Sequence, residues 1–200
     1  MRSTVREVFE TIVLTVLIFL LVRAVVQNFK VEGHSMEPTL FDGQYLLINK
    51  AIYWEVDLSP LARFFPQAVN AEQPKVVLFR EPERGDIVVF RAPQSPDRDY
   101  IKRVIGVPGD RVEVKGDKVY VNGTALSEPY IVDAPQYDYP PTTVPPDSYF
   151  VLGDHRNNSS DSHVWGMVPR DNMVGVAWVS YWPPAQWGLL TGLTLPAGGS

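Results

Sequence analysis

The chain has 200 residues and a formal net charge of -5, room for one domain and an anchor, without the basic tail or stripe that nucleic-acid binding needs. It has no cysteine, which excludes disulfides, thiol catalysis and cysteine-ligated metals. Its 18 prolines and 14 glycines, with many β-branched residues, favour short strands and turns over long helices. The histidines, His34, His155 and His163, form no His-Glu-x-x-His pattern, so a zinc protease arrangement is not indicated.

Residues 11–22 are an uncharged, mostly apolar run of 12, about 18 Å long as a helix and short of a hydrocarbon core of about 30 Å. Extending the run to residues 8–26 gives about 28 Å, with Glu10 and Arg23 near the ends, where long side chains reach headgroups. The flank Val22-Arg23-Ala24-Val25-Val26-Gln27 is a poor cleavage site, so an uncleaved anchor is preferred to a signal peptide. A buried core helix is the bland alternative. Arg2 and Arg6 before the run favour a cytoplasmic N-terminus.

Strands are expected at residues 29–31 and 45–49, around a Gly-rich turn. Residues 51–84 read as an insert. Its Trp and Phe side chains either pack on the domain or enter a membrane interface. Residues 87–90 and 99–105 are strand-like, the second placing Tyr100, Lys102 and Val104 on one face. Residues 112–121 alternate as a hairpin, closed by Asn122-Gly123. The proline-rich residues 129–146 are expected to be an extended surface loop. Residues 149–152 and 174–181 complete the strands. Trp178 is expected in the core, Trp182 and Trp187 in an interfacial belt, and residues 191–200 as a frayed tail. The resulting domains are an anchor at 1–28, a β-rich domain at 29–190 and the tail.

Three stretches carry the chemistry. The first is Gly33-His34-Ser35-Met36-Glu37-Pro38-Thr39-Leu40, a stiff turn that presents Ser35. The second is Tyr100-Ile101-Lys102-Arg103-Val104-Ile105-Gly106. The third is Gly153-Asp154-His155-Arg156-Asn157-Asn158-Ser159-Ser160-Asp161-Ser162. A serine nucleophile needs a base within hydrogen-bond reach. His34 is adjacent in sequence and points away if the segment is extended. His155 or His163, with Asp154 or Asp161, is one candidate base. Lys102 is another, provided that its apolar strand lowers the ordinary pKa of about 10.4 by roughly 2 to 3 units.

In this order after an N-terminal anchor, the three stretches resemble the bacterial type I signal peptidases. The resemblance implies a mainly β fold: an N-terminal transmembrane helix followed by an antiparallel, barrel-like catalytic domain. It implies Ser35 as nucleophile and Lys102 as general base, a Ser-Lys variant of nucleophile and base, with no metal or cofactor. Ser159 matches a serine that orients the lysine, Asp161 a structural acid and Gly153 a close-packed backbone position, with Asp154, Ser162 and His163 beside them. The Ser35 N–H matches one oxyanion donor. Phe29, Val31, Leu40 and Ile101 are candidates for shallow pockets that take small side chains at positions -1 and -3 of a signal peptide. The implied partners are secreted preproteins and membrane lipid.

Three positions depart from the family's pattern. Gly33 stands where some members have a serine, His155 where asparagine is frequent, and His163 where arginine is frequent. Two rivals remain. A self-cleaving Ser-Lys protease of the repressor type would want a helix-turn-helix at the N-terminus. A non-enzymatic, anchored β-domain that binds extended peptides would need no serine and lysine in this order.

Overall fold

A computed structural model describes residues 2–57 and 75–190. Helix α1 (Arg2–Val25) runs straight into strand β1 (Val26–Lys30), so residues 26–28 belong to the sheet rather than to the anchor. Within α1, Val5–Val25 has a mean hydropathy of 2.4 and 0% burial, long and apolar enough to cross a bilayer. Four of its polar side chains find partners within the helix. Arg6 pairs with Glu10 at 2.7 Å, and the Thr11 and Thr15 hydroxyls each donate to the carbonyl four residues before, as lipid requires.

The other strands follow in order. They are β2 (Tyr45–Asn49), β3 (Glu55–Asp57), β4 (Lys75–Val77), β5 (Ile87–Ala92), β6 (Ser95–Gly106), β7 (Arg111–Lys115), β8 (Lys118–Val121) and β9 (Thr124–Ala125). After these come β10 (Tyr139–Thr143), β11 (Ser148–Leu152), a single turn of helix α2 (Ser162–Trp165), β12 (Val168–Pro169), β13 (Met173–Trp182) and β14 (Gly188–Leu189). The main antiparallel sheet has the order β1-β2-β13-β5-β6-β11-β12, with β14 on β13. A smaller sheet, β10-β7-β8-β9, is built on the 112–121 hairpin, and β3 pairs with β4. The fold is mainly β with an N-terminal apolar helix.

Alternation explains the strands. In β2, Leu46 and Ile48 are fully buried and their neighbours are not, the period of a sheet with one covered face. Strand β5 is buried at every position but Arg91, because apolar groups cover both faces. One of those groups, Val31, Met36, Leu40, Leu46, Ile48, Ile87, Val89, Ile101 and Ala177, lies beneath the Ser35 turn. On the opposite face of β6, Tyr100 and Val104 join a second cluster with Val88 and Phe90. The smaller sheet closes a third cluster, where Val112, Val114, Val119 and Val121 meet Ile105 and Phe150.

Two expectations fail. The 129–146 segment is not wholly a loop, since β10 pairs with β7 inside it. Its ladder skips between Tyr139 and Thr142, over Pro140 and Pro141, which an edge strand tolerates. Trp178 is not core but 50% exposed. It is the extra residue of a bulge, since Ala177 pairs with Ile48 and Val179 with Leu47, and a bulge re-aims a side chain. Trp182 and Trp187 are exposed. Residues 58–74 of the 51–84 insert and the whole 191–200 tail lie outside the described residues.

Candidate active site

Ser35 sits in the turn between β1 and β2. Gly33 opens it with φ +86, a conformation that glycine adopts without strain, and its N–H donates to Asp42 at 2.7 Å. Met36 and Leu40 are fully buried beneath the turn. Each contributes roughly 2–3 kcal/mol of burial, so the turn is clamped from below while Ser35 stays accessible. From the far side, His155 N–H donates to the Ser35 carbonyl at 3.0 Å.

Lys102 comes from the middle of β6 and is 5% exposed. Its Nζ lies 2.7 Å from Ser35 Oγ and donates to the Ile101 carbonyl at 2.9 Å. It also lies 5.7 Å from the Tyr100 ring centroid, on the shared face that alternation predicts. Burial lowers the Lys102 pKa from 10.5 to about 8, against the opposing charges of Asp161 and Asp154. No salt bridge to either carboxylate holds the ammonium, since both are engaged elsewhere. Asp154 receives both arms of Arg103, at 2.9 and 2.7 Å, and the Thr39 hydroxyl at 2.5 Å. Asp161 accepts Gly153 N–H at 2.9 Å and meets His163 Nδ1 at 2.5 Å.

The third stretch forms the wall behind the serine. A Cβ on Gly153 would lie 2.2 Å from Ser159 Oγ and 2.5 Å from the Ser35 carbonyl, so only glycine lets the wall approach this closely. Ser159 Oγ is buried beside it with no hydrogen-bond partner among the described residues. Ser162 accepts Val151 N–H at 3.0 Å, tying the stretch to β11. His163 stacks on Tyr137 with centroids 3.9 Å apart. Neither His155, at 3.3 Å from the His34 carbonyl, nor His163 bonds to Ser35 Oγ. His34 points at Glu37, 2.8 Å away.

In front of Ser35 lies a cleft of about 910 Å³, lined by residues 27–30, 32–35 and 98–102, with Asn158 and Ser160. Two open strand edges face it. Among the described residues, strand β1 pairs only with β2, and β6 before Arg103 pairs only with β5. Phe29 and Ile101 line the cleft. Val31 and Leu40 do not; they are 1% and 0% exposed in the core below. The Arg103–Asp154–Thr39 cluster and the Tyr137 stack have no signal in sequence periodicity. Only their adjacency to Lys102 and to the Gly-Asp pair pointed that way. Among the described residues no three His, Asp or Glu side chains converge as a metal-ligand set.

The family pattern described as "Signal peptidase, peptidase S26" matches residues 5–182. The chain belongs to the signal peptidase family. It is 41% identical over 197 residues to the probable signal peptidase I-2 of Synechocystis sp., covering 95% of this chain and 79% of that one. It is 38% identical over 176 residues to the signal peptidase I of Bacillus caldolyticus, covering 81% and 82%. A crystal structure of a signal peptidase I from Enterococcus faecalis aligns with a TM-score of 0.45 and 35% identity, covering 48% of this chain and 97% of that one. The chain is therefore a signal peptidase, a hydrolase. The readings as a repressor-type protease and as a non-enzymatic domain are set aside.

Proposed function

We propose that this signal peptidase removes signal peptides from secreted preproteins as a membrane-bound serine endopeptidase, with Ser35 as nucleophile and Lys102 as general base. The observation that carries the reading is the 2.7 Å contact between Lys102 Nζ and Ser35 Oγ at a buried lysine with a pKa of about 8. At pH 8 such a lysine is about half neutral, against roughly 0.4% at an ordinary pKa. A neutral amine keeps two N–H groups and one lone pair. One N–H stays on the Ile101 carbonyl, which aims the lone pair at the serine proton.

Ser35 Oγ attacks the scissile carbonyl as its proton passes to Nζ. The Ser35 N–H has no acceptor among the described residues, and it supports the oxyanion. Collapse breaks the C–N bond, and the ammonium gives its proton to the leaving amine. Water, deprotonated by the same lysine, then releases the signal peptide from the ester. Ser159 is the group that meets the lysine as it moves between the two. The substrate enters as an extended strand between the open edges of β1 and β6, held by backbone bonds, with small side chains against Phe29 and Ile101. Helix α1 holds the enzyme at the membrane with its N-terminus in the cytoplasm and the β domain outside.

Cleavage of a preprotein by Ser35→Ala, Lys102→Met and Lys102→Arg tests the reading. All three are expected to be inactive, the last because guanidinium does not deprotonate at usable pH. Substantial turnover by Lys102→Met would overturn the lysine mechanism.

A further inference from the structure

A second, smaller cavity of about 240 Å³ is lined by other residues of the same turn. The large cleft takes Gly33, His34 and Ser35 from the turn, and the small cavity takes Glu37 and Pro38. His155, whose N–H holds the Ser35 carbonyl, is among the residues that line the small cavity. The small cavity adjoins Ser35 through His155 and shares no lining residue with the large cleft. At 240 Å³ it is below the range of about 300–1,000 Å³ that accommodates a whole ligand and suits a single side chain.

The cavity's chemistry is specific. Pro38, Phe41 and Val132 give it apolar surface, and Glu37, Asp133 and Asp154 bring carboxylates. The charge of Asp154 is already met by Arg103. Glu37 has His34 as a partner on the solvent side. Asp133 is exposed and makes no hydrogen bond or ion pair among the described residues. An apolar floor under a rim with an unmatched carboxylate complements a side chain with an aliphatic stem and a cationic head.

We propose that this cavity is a primed-side subsite that receives a lysine or arginine at one of the first two residues after the scissile bond. The proposal rests on Ser35 being the nucleophile. It makes the start of the mature protein, as well as the end of the signal peptide, a determinant of cleavage.

The test uses the full chain in detergent and three peptides with one common signal-peptide half. They carry Lys-Lys, Ala-Ala or Glu-Glu after the bond, and kcat/KM is measured for each. The wild-type enzyme is expected to prefer Lys-Lys over Glu-Glu by about two- to fivefold, the upper part of the range for exposed charge pairs. The preference shrinks in Asp133→Asn and reverses in Asp133→Lys. It also fades as salt rises to about 1 M, where the Debye length is about 3 Å. Turnover of all three peptides at equal rates, or an unchanged Lys-Lys preference in Asp133→Lys, would overturn the subsite and leave the peptidase reading standing. No turnover of any peptide would overturn both.

Discussion

Lys102 is the residue where stability and the proposed chemistry oppose each other. Its pKa is lowered from 10.5 to about 8 by burial. Between those values the unfolded chain binds a proton that the folded chain does not, so stability rises with pH across that window. Below pH 8 the folded protein carries the whole penalty, about 3 kcal/mol. Lys102→Met should therefore stabilise the protein by roughly 3 kcal/mol at pH 7 and by only about 1 kcal/mol at pH 10, while abolishing cleavage. Denaturant midpoints at the two pH values read this directly. His163 is a second case. Its Nδ1 reaches Asp161 at 2.5 Å. His163→Arg should keep Asp161 partnered and retain activity. His163→Ala leaves Asp161 Oδ1 with only the 3.3 Å contact from the His163 N–H. A loss of about 1–3 kcal/mol and of activity is expected, measured by thermal melts and cleavage rates of both variants.

At the level of elements, the buried Arg103–Asp154 pair ties β6 to the segment after β11, with both side chains at 2% exposure or less. Arg103→Met strands a buried carboxylate and should cost about 3–5 kcal/mol. Adding Asp154→Leu should recover much of that loss, and melts of the single and double variants decide it. This pair was not legible in the sequence. Its partners are 51 residues apart, and Thr39 joins from 115 residues away, so no local periodicity reports it. Strands with one covered face were legible. Tyr45–Asn49 has the expected bounds, because Leu46 and Ile48 alternate with less buried neighbours. Strand β10 was hidden by its prolines and the fate of Trp178 by a bulge, since both depend on which strand lies alongside. Val31 and Leu40 look like cleft residues by proximity to Ser35. They are core because the turn needs something beneath it. Ser35 and Lys102 were legible only as a set with the Gly-Asp stretch; neither stretch alone separates a base from a lysine at a strand edge.

Across the whole molecule, large apolar side chains lie exposed along β2, β13 and the segment after β13. Tyr45 on β2, Trp178 and Trp182 on β13, Trp187 between β13 and β14, and Leu189 on β14 are exposed, with Trp182 paired to Tyr45 at the Lys30 end of β1. Exposed Trp and Tyr suit the headgroup region. A chain lacking residues 1–25 keeps all of β1. It should still bind lipid vesicles in a flotation assay, and Trp182→Ser with Trp187→Ser should release it. Its cleavage of preprotein should be weaker than that of the anchored enzyme, because the membrane no longer concentrates enzyme and substrate together.

The central claim is that a buried, neutral Lys102 takes the Ser35 proton. The pH dependence of kcat/KM on a signal-peptide substrate, from pH 5 to 10, tests it most directly, because it reports the essential base of the free enzyme. The wild type is expected to gain activity through about pH 8, and His155→Ala should keep the same ascending limb. An ascending limb near pH 6.5, the ordinary value for histidine, that disappears in His155→Ala would contradict the account.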